Sequence, residues 1–242
     1  MLLFFGSYFA GMLGTVIGLG GGVILVPLLT QFFAVEIHQA VAMSLISILM
    51  TSSAGAIQFL QQKLVDIDTA IFLSSATVIG AILGVQVGQN ISAQKLSLTF
   101  GCVLIVMAVL MMRKKQNSHH EQQKYPRTAY IVMIFSGALS AILGIGAGAF
   151  KVLAMDQFLN MPIRKSTATS NLMIGITASS SALFFISQRQ YQSQMMMPMM
   201  VGVLLGAVTG GKLVKKLPEN LLRLLFVIVV AFIGVQMIWK SR

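Results

Sequence analysis

A chain of 242 residues that is 56% hydrophobic and only 10% charged, with 22 glycines and 17 methionines, lies outside the range of soluble domains. Its net charge of +11 gathers between apolar runs and on no soluble module. That distribution excludes a nucleic-acid binder and suits the positive-inside bias and contact with anionic lipid headgroups. The single cysteine, Cys102, excludes an intrachain disulfide and is expected to be a packed thiol in an apolar helix.

The first apolar run, 2–34, has no basic leader and no small-residue cleavage site before a polar domain, so it is expected to be retained membrane structure. As one helix it would be roughly 50 Å long against a hydrocarbon core of about 30 Å, while two full spans would want about 40 residues. The cluster Gly18-Leu19-Gly20-Gly21-Gly22 is therefore predicted to break it. Opened backbone at membrane depth is tolerated only where it is buried in protein or lines a polar cavity, so the break points to a site.

Spans are predicted at 39–60, dotted with Ser44, Ser47, Thr51, Ser52 and Ser53, at 67–88, and at 96–112. Gly80, Gly84 and Gly88 form a small-residue row of the kind that lets helices approach closely. The polar stretch 113–127 follows, with His119-His120 reading as solvated loop in the absence of further ligands nearby. The second half repeats the plan: a broken run at 129–160, a polar-dotted span at 166–187, a span at 194–211 with Gly202, Gly206 and Gly210, and a last helix at 221–239 anchored by Trp239.

A shift of 126 residues lays Gly144-Ile145-Gly146-Ala147-Gly148 over the first cluster without a gap. Between 11–59 and 137–185, 16 of 49 positions are identical, among them the polar pairs Gln31/Gln157, Ser44/Ser170 and Thr51/Thr177. Shared apolar composition would not align three glycines with those residues, so the chain reads as two tandem repeats, 1–112 and 129–242, joined by a basic linker at 113–128. If each broken segment returns to its starting side, every repeat crosses three times and the repeats are inverted. That parity puts twelve basic residues on the side of the linker against four opposite, and the alternative splits them nine to seven. The charge bias favours inversion with the linker in the cytoplasm and the tail at Arg242 outside.

Lys151 is the charge that no loop accommodates. It stands three residues past Gly148, where the first repeat has Leu25. A lysine at membrane depth is by default a functional residue, here an anion contact at the positive end of the half-helix that follows; the alternatives are snorkelling to an interface or pairing with Asp156. Ser44, Ser170 and Asn171 are candidate neutral donors to an oxyanion, and hydrogen bonding between helices is the competing explanation for such groups. No nucleophile with a base, no paired carboxylates, no metal ligands and no Walker sequence stand out.

GLGGGVILVPLL with the following AVAMS, and GIGAGAFKVLAM with PIRKSTATSNLMIGITA, resemble the two signature blocks of the TauE/SafE family, the toluene sulfonate uptake permeases or sulfite exporters. The resemblance runs over nearly the whole chain. It implies a transporter of sulfite or sulfur-containing organic anions in the bacterial cytoplasmic membrane, without an ATPase domain of its own. The family's lysine and ATSN motif match at Lys151 and at Ala168, Thr169, Ser170 and Asn171, while Ala147 and Leu153 depart from the usual glycine and proline.

The expected protein is thus an all-α, polytopic membrane protein of two repeats, each a glycine-broken helix or re-entrant segment plus three spans. Its expected function is secondary transport or export of small sulfur-containing or organic anions such as sulfite, a sulfonate or a sulfoacetate-like ion. An anion channel of the same architecture and a non-transporting membrane assembly factor are the rivals. The expected substrate-binding residues are Lys151, Gly18, Gly20, Gly21, Gly22, Gly144, Gly146, Gly148, Ser44, Thr169, Ser170 and Asn171. No cofactor is expected; the partners are a small-molecule anion and the lipid bilayer, with a homodimer left open and no nucleic acid.

Overall fold

The computed structural model describes residues 1–17, 20–112, 127–188, 191–214 and 219–240, so the expectations placed on Gly18, on His119 and His120, and on Arg242 lie outside the described residues. Every regular element among the described residues is an α-helix. In order these are α1 (Leu2–Ile17), α2 (Gly22–Phe32), α3 (Ile37–Gln61), α4 (Ile67–Gln89), α5 (Ala93–Met112), α6 (Arg127–Leu143), α7 (Gly148–Phe158), α8 (Ile163–Ser187), α9 (Ser193–Val214) and α10 (Glu219–Lys240). Among the described residues, α3, α4, α8 and α9 are each long and apolar enough to cross a membrane. By contrast α2 and α7, at 11 residues each, reach about 17 Å, little more than half of a hydrocarbon core.

Both glycine clusters do interrupt helices. Gly20 and Gly21 lie at φ +74° and +80°, and Gly144 and Gly146 at +67° and +70°. This left-handed region costs a residue with a Cβ roughly 1–2 kcal/mol, so neither run can continue as one helix there. Ala147 nevertheless enters it, at φ +46°, as the residue that starts α7.

The halves do not fold side by side. α1 packs mainly on α9 and α4 on α6, while α3 pairs with α8 and α5 with α10. A Cβ on Gly80 would collide with Ile134 O, and the equivalent pair 126 residues on is reproduced by Gly206 against Tyr8 O. Gly84 faces Ala138 O and Gly210 faces Met12 O in the same way. These rows are therefore helix contacts, as the small-residue spacing predicts, and they bring backbone against backbone where lipid supplies no hydrophobic drive.

The outward surface is apolar, with Phe5, Phe9, Ile79, Leu83, Phe135, Leu183 and Phe232 all exposed. Buried positions instead carry the hydroxyls: Ser44, Ser47, Thr51, Thr77, Ser170 and Thr177 are fully enclosed. That inversion of the soluble pattern is what a bilayer solvent dictates. Cys102 corrects one expectation, because it is exposed on α5 and not packed. A thiol is weakly polar enough to sit on a lipid-facing helix side without cost.

Contacts between connections define two ends of the bundle. At one, Lys165 pairs with Asp66 at 2.8 Å, joining the α3–α4 turn to the start of α8, and Ser75 Oγ of α4 meets the Tyr130 hydroxyl of α6 at 3.1 Å. At the other, His38 Nε2 lies 2.9 Å from Ile91 O, and Gln192 donates to Gln39 at 3.1 Å. These place the start of α3 beside the α4–α5 and α8–α9 turns.

Candidate functional site

The two breaks meet at the centre of the bundle, under the crossing of α3 and α8. A Cβ on Gly22 would collide with Gly144 O and stand 2.6 Å from Ile48 Cδ1 and 2.8 Å from Ser44 Oγ. Only a residue without a side chain lets the start of α2 approach the end of α6 so closely. The carbonyls released at the breaks are taken up by hydroxyls from the long helices. Ser44 Oγ donates to Gly144 O at 2.7 Å, Thr51 Oγ1 to Gly20 O at 2.8 Å, and Ser170 Oγ to Gly148 O at 3.2 Å. These bonds give the acceptors partners, and the first-turn amides of α2 and α7 form the positive ends of their helix dipoles.

Lys151 stands in the first turn of α7 and is completely buried. Its ammonium donates to Thr177 Oγ1 at 2.9 Å. The ion pairs described, His38–Glu36 and Lys165–Asp66, do not include it. Five residues of helix rotate Asp156 about 140° away from Lys151, an alignment that does not favour a pair along α7. A lysine side chain and the positive end of a helix dipole thus share one buried region, an arrangement that suits an anion.

The other expected residues fall in three places. Gly20, Gly21, Gly22, Gly144, Gly146 and Gly148 are buried within or beside the breaks, with Ser44 and Ser170 against them. Asn171 is also buried, but its side chain lies against Gly55 of α3, and among the described residues neither Nδ2 nor Oδ1 has a hydrogen-bond partner. Its backbone carbonyl accepts from Ser52 Oγ. Thr169 stands apart, accepting the backbone N–H of Asp66 at 3.0 Å beside the Asp66–Lys165 pair. No residue of the glycine, Ser44, Lys151, Ser170 and Asn171 group is exposed.

Comparison with known proteins decides the family. A family model described as Sulfite exporter TauE/SafE matches residues 3–237. The chain belongs to this family. A "Probable membrane transporter protein YdhB" of Bacillus subtilis is 25% identical over 245 residues, covering 99% of this chain and all of that relative. YunE of the same organism is 24% identical, covering 96% and 94%, and YfcA of Escherichia coli is 24% identical, covering 100% and 90%. Each of these is also described as a probable membrane transporter protein. No solved structure matches the chain. As a TauE/SafE protein it belongs with multi-pass membrane transporters of bacteria and not with enzymes.

Within this TauE/SafE chain one polar residue of the central network escaped the sequence reading. Thr177 Oγ1, which accepts from Lys151, lies 2.8 Å from Thr77 Oγ1 of α4, and Thr77 Oγ1 donates to Ser74 O at 3.0 Å. Thr77 hides in a helix whose small residues explain its packing. The available signal was its equivalent 126 residues on, Val203, because Thr77/Val203 and Lys151/Leu25 are polar-for-apolar exchanges of the same kind.

Proposed function

We propose that the chain is a secondary transporter of small sulfur-containing or organic anions, with the bound anion held between the two breaks. Lys151 would supply the charge, the first-turn amides at Gly22 and Gly148 the backbone donors, and Ser44 and Ser170 neutral hydroxyls. The observation that carries this reading is the fully buried ammonium of Lys151, which donates to a hydroxyl and sits at a helix N-terminus beside opened backbone. The family description adds sulfite to the candidate substrates. Enclosure of the site favours a carrier over an open channel, since a channel needs a continuous polar path. We also read the halves, 1–112 and 129–242, as inverted repeats. Two contacts support this: the Asp66–Lys165 pair ties the α3–α4 turn to the start of α8 at one end, and Gln39–Gln192 ties the start of α3 to the α8–α9 turn at the other.

The experiment is flux in proteoliposomes over sulfite, thiosulfate and short sulfonates, paired with anion-dependent thermal stabilisation in detergent. Lys151→Met keeps most of the side-chain length and removes the charge. A charge-assisted hydrogen bond contributes about 1.5–3 kcal/mol, so affinity should fall roughly 10- to 150-fold with the folded protein retained. Lys151→Arg should be intermediate, because the planar guanidinium keeps the charge and changes the donor directions. Unchanged affinity in Lys151→Met would remove the lysine from the site.

A further inference from the structure

The 126-residue correspondence fails at many positions, and one of them is Lys151. Its equivalent, Leu25, is buried and apolar; Thr177 corresponds to Thr51, and Thr77 to Val203. In the first half Thr51 donates to the released carbonyl of Gly20 at 2.8 Å. In the second half Thr177 instead receives the ammonium and hands its own proton on, either to Met173 O at 2.7 Å or to Thr77 Oγ1 at 2.8 Å. The hydroxyl of Thr77 is committed to Ser74 O, so its lone pairs face Thr177. Donors and acceptors then run in a single direction, from Lys151 through Thr177 and Thr77 to a helix carbonyl.

We infer that Thr77 is a positioning residue for anion transport: contributed by the first half, it holds Thr177 so that the Lys151 ammonium keeps two N–H groups aimed at an oxyanion, and the chain builds one such site and not two. The inference rests on the anion-transport reading and adds the residue that orients the charge and the number of sites. An ammonium carries three donors on a flexible stem, and Thr177 occupies one. With valine at position 77, a methyl replaces the hydroxyl that Thr177 meets at hydrogen-bond distance, and Thr177 must withdraw. The ammonium then loses its fixed direction while the charge remains. Among the described residues, none of the ionisable groups on the neighbouring helices takes over this role: Asp66 is engaged with Lys165, and neither Asp68 of α4 nor Tyr130 of α6 hydrogen-bonds to Lys151.

The test uses the full chain and sulfite as the probe, with thiosulfate and methanesulfonate in parallel. Thr77→Val should raise the KM for flux about 3- to 10-fold, the worth of one hydrogen bond, with the maximal rate changed far less. Thr77→Ser, which keeps the hydroxyl, should restore the wild-type KM. Equilibrium binding should saturate at one sulfite per chain. A KM unmoved by Thr77→Val while Lys151→Met raises it steeply would overturn the positioning role and leave the anion site standing. Equal loss in the Val and Ser variants would make Thr77 a packing residue only, and two sites per chain would overturn the single-site inference. A wild-type protein indifferent to all three anions would overturn the transport reading and the role of Thr77 with it.

Discussion

Asp66 and Lys165 form an ion pair of 2.8 Å between the α3–α4 turn and the start of α8, and their equivalents under the 126-residue shift, Gln192 and Gln39, are joined by a hydrogen bond of 3.1 Å. The two ends of the bundle are thus fastened by the same pair of positions in different chemistry. One fastening is charged and capped: Asp66 also accepts the Thr69 N–H as the N-cap of α4. The other is neutral. Both tie a turn of one half to a long helix of the other, across the helices that enclose the central site.

Replacement of Asp66 by Asn separates the ion pair from the cap, since Asn caps a helix about as well as Asp. Burial raises the Asp66 carboxyl, but the hydrogen bonds from Lys165 and Thr69 outweigh it and hold the group below the ordinary carboxylate range. A depressed carboxylate stabilises the fold in full above its unfolded value of about 4 and loses that contribution as pH falls through the folded value. Wild type should therefore exceed Asp66→Asn in apparent Tm at neutral pH, with the two curves converging under acid. Lys165 is 39% exposed, so solvent screening limits the difference to about 1 kcal/mol or less. A gap that persists unchanged well below pH 3 would show that charge is not what Asp66 contributes.

The basic residues and the end-to-end contacts agree on which turns share a side. In a Cys102→Ala background, Lys95→Cys should react with an impermeant thiol reagent added outside cells. Lys63→Cys should react only after permeabilisation; both positions are exposed. Labelling of both from outside would contradict the inverted arrangement.

Much of this fold is legible in the sequence because membranes make length informative. The run 2–34 is too long for one span and too short for two, and the glycines near its middle are where α1 stops and α2 begins. The four long crossings α3, α4, α8 and α9 begin and end within a few residues of the apolar runs that predict them. The site is less legible, because its contacts are distant in sequence. Thr177 is 26 residues from Lys151 and 100 from Thr77, and nothing local marks either contact. Thr169 sits inside the ATSN motif, yet the helix turns it toward Asp66 and away from the breaks, an orientation that motif membership does not disclose.

The approach of the two breaks makes Gly22 a sensitive position. Alanine there would press on Gly144 O, Ile48 and Ser44, and the first contact is backbone that cannot rotate away. Overpacking of this kind costs about 1–3 kcal/mol, so Gly22→Ala should lower the apparent Tm and reduce flux together. Ala147→Gly makes the contrasting case. It relieves a left-handed alanine without adding atoms, and flux should be retained. A Gly22→Ala protein with wild-type flux and stability would mean that Gly22 stands further from Gly144 O and from α3 than the close approach in this structure.

Asn171 provides the sharpest separation of stability from function. It is wholly buried, and among the described residues both polar atoms of its amide lack partners; a buried group left unsatisfied costs about 1–3 kcal/mol. Leu45, at the equivalent position of the first half, is equally buried, so the fold accepts a leucine of similar size there. A chain selected only for stability would carry leucine at both positions. Retention of this amide against Gly55 of α3 is explained if Asn171 finds a partner in an anion when α3 and α8 separate. Asn171→Leu should accordingly raise the apparent Tm while lowering flux, the two moving in opposite directions. Asn171→Asp should abolish transport without such a gain, because it places a negative charge where an anion must pass. If Asn171→Leu lowers stability and leaves flux intact, the amide is already satisfied within the closed bundle and takes no part in holding the anion.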